Sequence, residues 1–336
     1  MEDYIKQIDN IIDQGLNAKA YPGGQYALVF SNRLIIKHFG VRDYLHHEKT
    51  DGTEIYDVAS LTKVISTSTV AHYLMYQGLF SLDTYIVEVL KDFPHQDIQV
   101  KDILAHTSGL PAYLANGNDL KTREEVIEVI KQTPLVYEKN TKVIYSCVGF
   151  IVLAHFMEKL THKPINELAK TIVFDPLKMT DTSYRPDVNR AVVTEYRDDK
   201  VYQGFLKGIV HDGLAFAQQG LSGNAGLFST VGDIAKFIQN LINDTFIYPK
   251  EIVDLMFESY IKRTEGDLIL HRSLGWNKPD NDINEIIFHT GFTGCNIVID
   301  RKRKMGFVLL TNAIHPKREQ NDIFKYRNKI SQILFG

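Results

Sequence analysis

Ser60-Leu61-Thr62-Lys63 sets a hydroxyl and an amine three residues apart. Positions i and i+3 of a helix share a face, so the Lys63 amine can reach the Ser60 hydroxyl, take its proton and make it a nucleophile. The preceding Glu54 to Ala59 reads as extended and Leu61 to Gln77 as helical. Ser60 would then open a helix, where backbone N–H groups and the dipole favour developing negative charge. The same spacing recurs at Ser259-Tyr260-Ile261-Lys262. There the amphipathic run Glu251 to Lys262 predicts a position near a helix end, with no strand leading in. Taken alone, the tetrapeptide is better read as a plain helix cap at Ser60.

Two further clusters bear on that choice. Tyr145-Ser146-Cys147 follows the apolar Val143-Ile144 and precedes a helical stretch, so the phenol can project from a loop into a cleft. His289-Thr290-Gly291 ends the strand-like run that begins at Ile286, and a glycine there lets another group approach the strand edge closely. The order S-x-x-K, Tyr145-x-Cys147, H-T-G resembles the serine β-lactamase and penicillin-binding-protein family. The likeness is closest to its branch of class C β-lactamases, esterases and DD-peptidases, which uses S-x-x-K, Y-x-N and K-T-G or H-T-G. Ile103 to Pro111 is similar to the family's "LLTHTSGLP" turn, and Gly223 to Thr230 to its "AGGLFST" segment. The resemblance spans about residues 20–315.

The resemblance implies acyl transfer without a metal or cofactor. Ser60 would be the nucleophile, Lys63 the adjacent amine, and Tyr145 a proton shuttle whose pKa two nearby cations lower. The backbone N–H groups of Ser60 and Phe292 would hold the oxyanion, beside Thr290 and Gly291. His289 replaces the commoner lysine and would donate to Tyr145 or to a substrate carboxylate. Cys147 stands where the family usually has Asn. A thiol is a weak donor and acceptor, which predicts less discrimination in favour of acylamino substrates and a preference for simple esters. The bland alternative is that Cys147 packs as a small hydrophobe. His106-Thr107-Ser108-Gly109 becomes a helix-ending turn rather than a catalytic group.

The elements that must position these residues follow from periodicity. Ile5, Ile8, Ile12 and Leu16 predict a first helix, ended by Gly15 or by the turn Tyr21 to Gly24. Strands at 25–30 and 33–39 form a hairpin. Helices are expected at 61–77, 99–106, 122–132, 147–160, 164–173, 230–243 and 248–260. Strands follow at 267–277, 285–290, 294–300 and 305–312, then a closing helix at 317–334. Arg301 to Lys304 reads as a solvated hairpin turn. Residues 183–220 show little periodicity and read as a long loop, functional or disordered.

Strands at both ends with helices between them predict one α+β catalytic domain over 1–336. An antiparallel sheet built from about 1–59 and 266–336, with flanking helices, would sit beside a mostly helical inserted part over about 60–265. The active site would lie in the cleft between. Thirty-eight basic against 41 acidic residues give a net charge of −3, too near zero to imply nucleic-acid or anionic-membrane capture. Two cysteines make no disulfide framework, and no apolar run is long enough to span a bilayer. His46-His47 and His211-Asp212 lack a second cluster at ligand spacing and read as solvated polar residues, not metal ligands. Met1 to Lys6 has no basic stretch leading into an apolar one, which predicts a cytoplasmic chain. The expected substrates are small esters, D-amino-acid peptides or β-lactams, with the oligomeric state open. The rival reading is an acylatable penicillin-binding sensor or scaffold that does not turn over.

Overall fold

The computed structural model describes residues 2–266, 268–281, 285–320 and 322–336. The chain opens with α1 (Glu2–Asn17), then the strands β1 (Gly23–Phe30), β2 (Leu34–Gly40) and the short β3 (Tyr56–Asp57). A π-helical turn, Lys63–Ser68, leads into α2 (Thr69–Tyr76). The middle holds α3 (Val100–Leu104), α4 (Arg123–Gln132), α5 (Cys147–Thr161) and α6 (Ile165–Ala169). Next come β4 (Val193–Asp198), β5 (Gln203–Lys207), α7 (Gly213–Ala217), β6 (Phe228–Ser229), α8 (Val231–Ile242) and α9 (Lys250–Phe257). The chain closes with β7 (Ile261–Glu265), β8 (Leu268–Arg272), β9 (Ile286–Thr290), β10 (Asn296–Asp300), β11 (Met305–Thr311) and α10 (Ile323–Phe335).

Five strands in the order β2-β1-β11-β10-β9, all antiparallel, join the two chain ends. Both faces of the sheet are covered, which explains why β1, β10 and β11 are buried almost end to end and mostly apolar rather than alternating. Tyr26, Leu28, Phe307 and Leu309 face α1 and α10, meeting Ile8, Ile12, Ile330 and Leu334. Ala27, Val29, Val308 and Leu310 face the other way, into the main core with Ile234, Phe237, Ile238 and Leu241 of α8. Burying a side chain of that size contributes about 1.5–3 kcal/mol. α8 is therefore a sheet-covering helix, although its place in the chain grouped it with the helical part.

Several sequence expectations need correction. α1 runs through Gly15 to Asn17; a Cβ at Gly15 would lie 2.1 Å from the Tyr21 hydroxyl oxygen, so the glycine serves packing rather than termination. α9 stops at Phe257, because Ile261–Glu265 pairs with Leu268–Arg272 instead of continuing the helical period. Residues 183–220 are not one loop: β4 and β5 form a hairpin there, followed by α7. The closing helix starts at Ile323, later than the spacing suggested, and the predicted strand 267–277 ends at Arg272. Residue 267 itself lies outside the described residues.

Candidate active site

Val58 and Ala59 bring the chain from β3 to Ser60, and Ala59 takes a left-handed φ of 48°. That costs an L-residue about 1–2 kcal/mol and needs local support. Asp57 supplies it: its Oδ1 accepts from the Ala59 N–H at 2.8 Å, and its Oδ2 from the His211 N–H at 2.8 Å. The Ser60 N–H donates to no other group of the described chain, and the helix starts immediately after it. Strand β9 abuts this turn. A Cβ on Gly291 would sit 2.6 Å from the Val58 carbonyl oxygen, so the chain's own backbone requires a glycine there.

Lys63 is wholly buried one turn beyond Ser60, at the start of the π-helical turn, a widened winding common at functional sites. Its Nζ donates to Ser60 Oγ at 3.2 Å, to Cys147 Sγ at 3.4 Å and to the Asn224 carbonyl at 2.8 Å. Burial works against the ammonium, but Cys147, Tyr145 and Asp212 outweigh it and raise the Lys63 pKa. Asn224 is itself held by neighbours: its Nδ2 donates to Asp212 Oδ1 at 3.0 Å, and its Oδ1 accepts from Ser222 Oγ at 2.8 Å. Ser60 and Lys63 thus come together, whereas the second S-x-x-K falls apart. Ser259 Oγ meets His271 Nε2 at 2.7 Å, and Lys262 Nζ donates to the Asp280 carbonyl at 2.6 Å.

Tyr145 stands in a loop stitched to the turn that ends α3. His106, with φ 59°, accepts the Ser146 N–H on its Nδ1 at 2.9 Å, and its carbonyl accepts the Ile144 N–H at 2.9 Å. Ser146 Oγ donates to the Pro111 carbonyl at 2.7 Å and accepts from Gly149 N–H at 2.9 Å, capping α5. The His106 ring lies between Tyr145 and Phe150, at centroid distances of 4.8 and 5.0 Å. The turn ends α3, as expected, and it also holds the Tyr145 loop in place. The Lys63 ammonium lies 4.8 Å from the Tyr145 ring centroid. The phenol feels Lys63 and Ser60, yet no group completes hydrogen-bond geometry to its hydroxyl.

The expected lowering of the Tyr145 pKa is not found. Burial raises it and outweighs the pull of Lys63. The reason lies partly in His289, expected to donate to Tyr145 or to a substrate carboxylate, which brings no positive charge to the phenol. Its Nδ1 meets the Thr290 carbonyl at 3.0 Å; a carbonyl can only accept, so Nδ1 carries the proton and Nε2 is left a bare acceptor. Burial, followed by Lys63 and Arg272, pushes the His289 pKa down to about 3, so the ring is neutral. It presents an acceptor where a donor was expected. Burial also pushes the Cys147 thiol up despite Lys63.

These groups line one cavity of about 810 Å³. Ser60, Tyr145, Cys147, His289, Thr290, Gly291 and Phe292 all reach its wall. Phe292 is half exposed and stacks on His211 at 5.3 Å. His211 is not solvated, contrary to expectation: the β4–β5 hairpin brings Glu195 to it at 2.6 Å, and Arg318 caps the same carboxylate through Nε and Nη2 at 2.8 Å each. No group of three or more His, Cys, Asp or Glu side chains is arranged to hold a metal among the described residues. Nor is any described helix long and apolar enough to cross a membrane. Sequence reading missed Asp212, Asn224 and Arg272 as wall or support residues. Arg272 left a trace: a charge interrupting the apolar run from Leu268 to Trp276.

A sequence model of the family described as Beta-lactamase matches residues 8–330. The N-acetylmuramyl-L-alanine amidase of Bacillus subtilis (strain 168) is 28% identical over 93% of this chain and 81% of its own length. A putative D-alanyl-D-alanine carboxypeptidase of Escherichia coli (strain K12) is likewise 28% identical, over 93% and 82%. Among solved structures, EstCE1, a hydrolase with promiscuous acyltransferase activity, superposes with a TM-score of 0.81 at 16% identity, covering 100% of this chain and 99% of that one. A class C β-lactamase gives 0.78 at 16% identity, over 99% and 97%. At such identities these two show a shared fold. The family match, by contrast, takes in nearly the whole sequence, and the chain belongs to the Beta-lactamase family of serine hydrolases, enzymes that work by acyl transfer.

Proposed function

We propose that this hydrolase cleaves small carboxylic esters, and more slowly D-amino-acid or β-lactam-type amides, through an acyl ester on Ser60. The observation that carries the reading is the contact of Lys63 Nζ with Ser60 Oγ at 3.2 Å, on the wall of the 810 Å³ cavity. Ser60 Oγ attacks the substrate carbonyl carbon while its proton passes to the Lys63–Tyr145 pair. The oxyanion is met by the N–H groups of Ser60 and Phe292, with Thr290 and Gly291 beside it. Collapse expels the alcohol or amine, which takes the proton from the pair. Water then repeats the sequence on the acyl-enzyme and releases the acid. The base is the unprotonated pair, and since neighbouring groups raise the Lys63 pKa and burial that of Tyr145, that form grows as pH rises.

The test is covalent. A fluorophosphonate should add once to the protein, with the adduct mapping to Ser60 and absent from Ser60→Ala. Turnover of p-nitrophenyl acetate should release many equivalents of nitrophenol per chain. An adduct on another serine overturns the site, and release that stops near one equivalent turns the protein into an acylatable sensor.

A further inference from the structure

Arg272 ends strand β8 and points into the same cavity wall as Tyr145 and His289. The residue is only 7% exposed, and its Nε and Nη1 are buried without a hydrogen-bond partner. Among the described residues no carboxylate pairs with it. A buried, unpaired cation is costly, and a chain keeps one only where something repays its desolvation. The guanidinium carbon lies 5.7 Å from the centroid of the Tyr145 ring. Around that ring stand Lys63, Cys147, His106 and His289 as well. Of these, both imidazoles are neutral, and the thiol carries no positive charge in either state.

We propose that Arg272 is the second cation of the reaction centre: a positioning residue that acts through Tyr145, stabilising the phenolate that accepts the Ser60 proton. The inference rests on the role given to Tyr145 above. Two cations, Lys63 and Arg272, then flank the phenolate, and His289 is not one of them. The electrostatics agree: burial lowers the Arg272 pKa to about 10, and Tyr145 is the group that opposes this. The phenol proton goes to the leaving group and returns from water in deacylation, so Arg272 neither gains nor loses a proton.

At 5.7 Å and an effective permittivity of about 20, loss of the charge should raise the phenol's apparent pKa by about one to two units. Arg272→Met, with Arg272→Gln as a second neutral variant, should therefore lower kcat/KM about 10- to 100-fold at neutral pH and move its rising limb to higher pH by about the same one to two units. The effect should be equal for p-nitrophenyl acetate and the anionic p-nitrophenyl hydrogen succinate. Arg272→Lys should restore the rate to within about tenfold of wild type. In a Tyr145→Phe background, Arg272→Met should add almost nothing, since the group it serves is gone.

A full, multiplicative loss in that background overturns the proposal. So does a loss confined to the succinate ester, which would make Arg272 a contact for substrate anions. Wild-type activity in Arg272→Met with a crippled Tyr145→Phe overturns this inference alone. Near wild-type activity in Tyr145→Phe removes the phenol from the mechanism first, whatever Arg272 does.

Discussion

Replacing Cys147 by Asn isolates what the thiol does in this site. Cys147 is the first residue of α5; its N–H donates to the Ala112 carbonyl at 2.8 Å, and Ser146 caps the helix independently. The backbone should therefore hold, and the change is confined to a side chain on the cavity wall. The thiol sulfur is 3.4 Å from Lys63 Nζ, close enough for a carboxamide oxygen to take over that acceptor role. The new amide N–H₂ would then face the cavity and offer a donor that the thiol does not. One ordinary hydrogen bond to a substrate amide carbonyl is worth about 0.5–1.5 kcal/mol net, or about two- to tenfold. The assay is kcat/KM for a chromogenic cephalosporin and for p-nitrophenyl acetate in both proteins. The cephalosporin-to-ester ratio should rise by about that two- to tenfold factor on Cys147→Asn. An unmoved ratio refutes the argument and leaves Cys147 as packing. A parallel fall for both substrates refutes it too, and assigns the thiol to Lys63 alone.

Lys63→Ala and Tyr145→Phe should each slow ester hydrolysis by about 10²–10⁴-fold, and the double variant by far less than the product, because the two share one proton. Since both pKa values are raised, the unprotonated pair is scarce at neutrality, and kcat/KM should climb with pH from about 6 to 9; a flat profile over that range speaks against the pair as base. His72 gives a stability prediction. It is fully buried, and burial pushes its pKa from 6.5 down to about 4. The unfolded chain takes up a proton that the folded chain refuses, so stability is whole above about pH 6.5 and lost as pH falls toward about 4, by about 3 kcal/mol. His72→Leu should flatten urea midpoints between those pH values, and an unchanged slope would show that other groups carry the acid sensitivity.

Most helices and strands were legible because their burial is one-sided or complete, and period then reports structure. α4, α5 and α8 lie within a residue or two of their sequence spacing, and β9, β10 and β11 nearly so. The misreadings share a cause. At 251–262 a helical period persists past Phe257, yet pairing of β7 with β8 takes those residues into a hairpin. Between 183 and 220, β4 and β5 are short, and their charged residues blur alternation. Glu195 and Arg197 are buried there only because partners distant in sequence, or a near neighbour such as Asp199, receive them.

The sequence by itself determined the α+β architecture and family, and it named Ser60, Lys63, Tyr145 and His289 as residues to watch, since residue type, spacing and order survive in one dimension. It could not determine protonation. Whether an imidazole is donor or acceptor, or a phenol is easy or hard to ionise, depends on burial and on charges brought in from elsewhere in the chain. The Thr290 carbonyl makes His289 an acceptor, and Arg272, 127 residues from Tyr145, stands where a second cation was sought. Electrostatic energy falls with distance in space, not along the chain, and only the tertiary structure sets that distance.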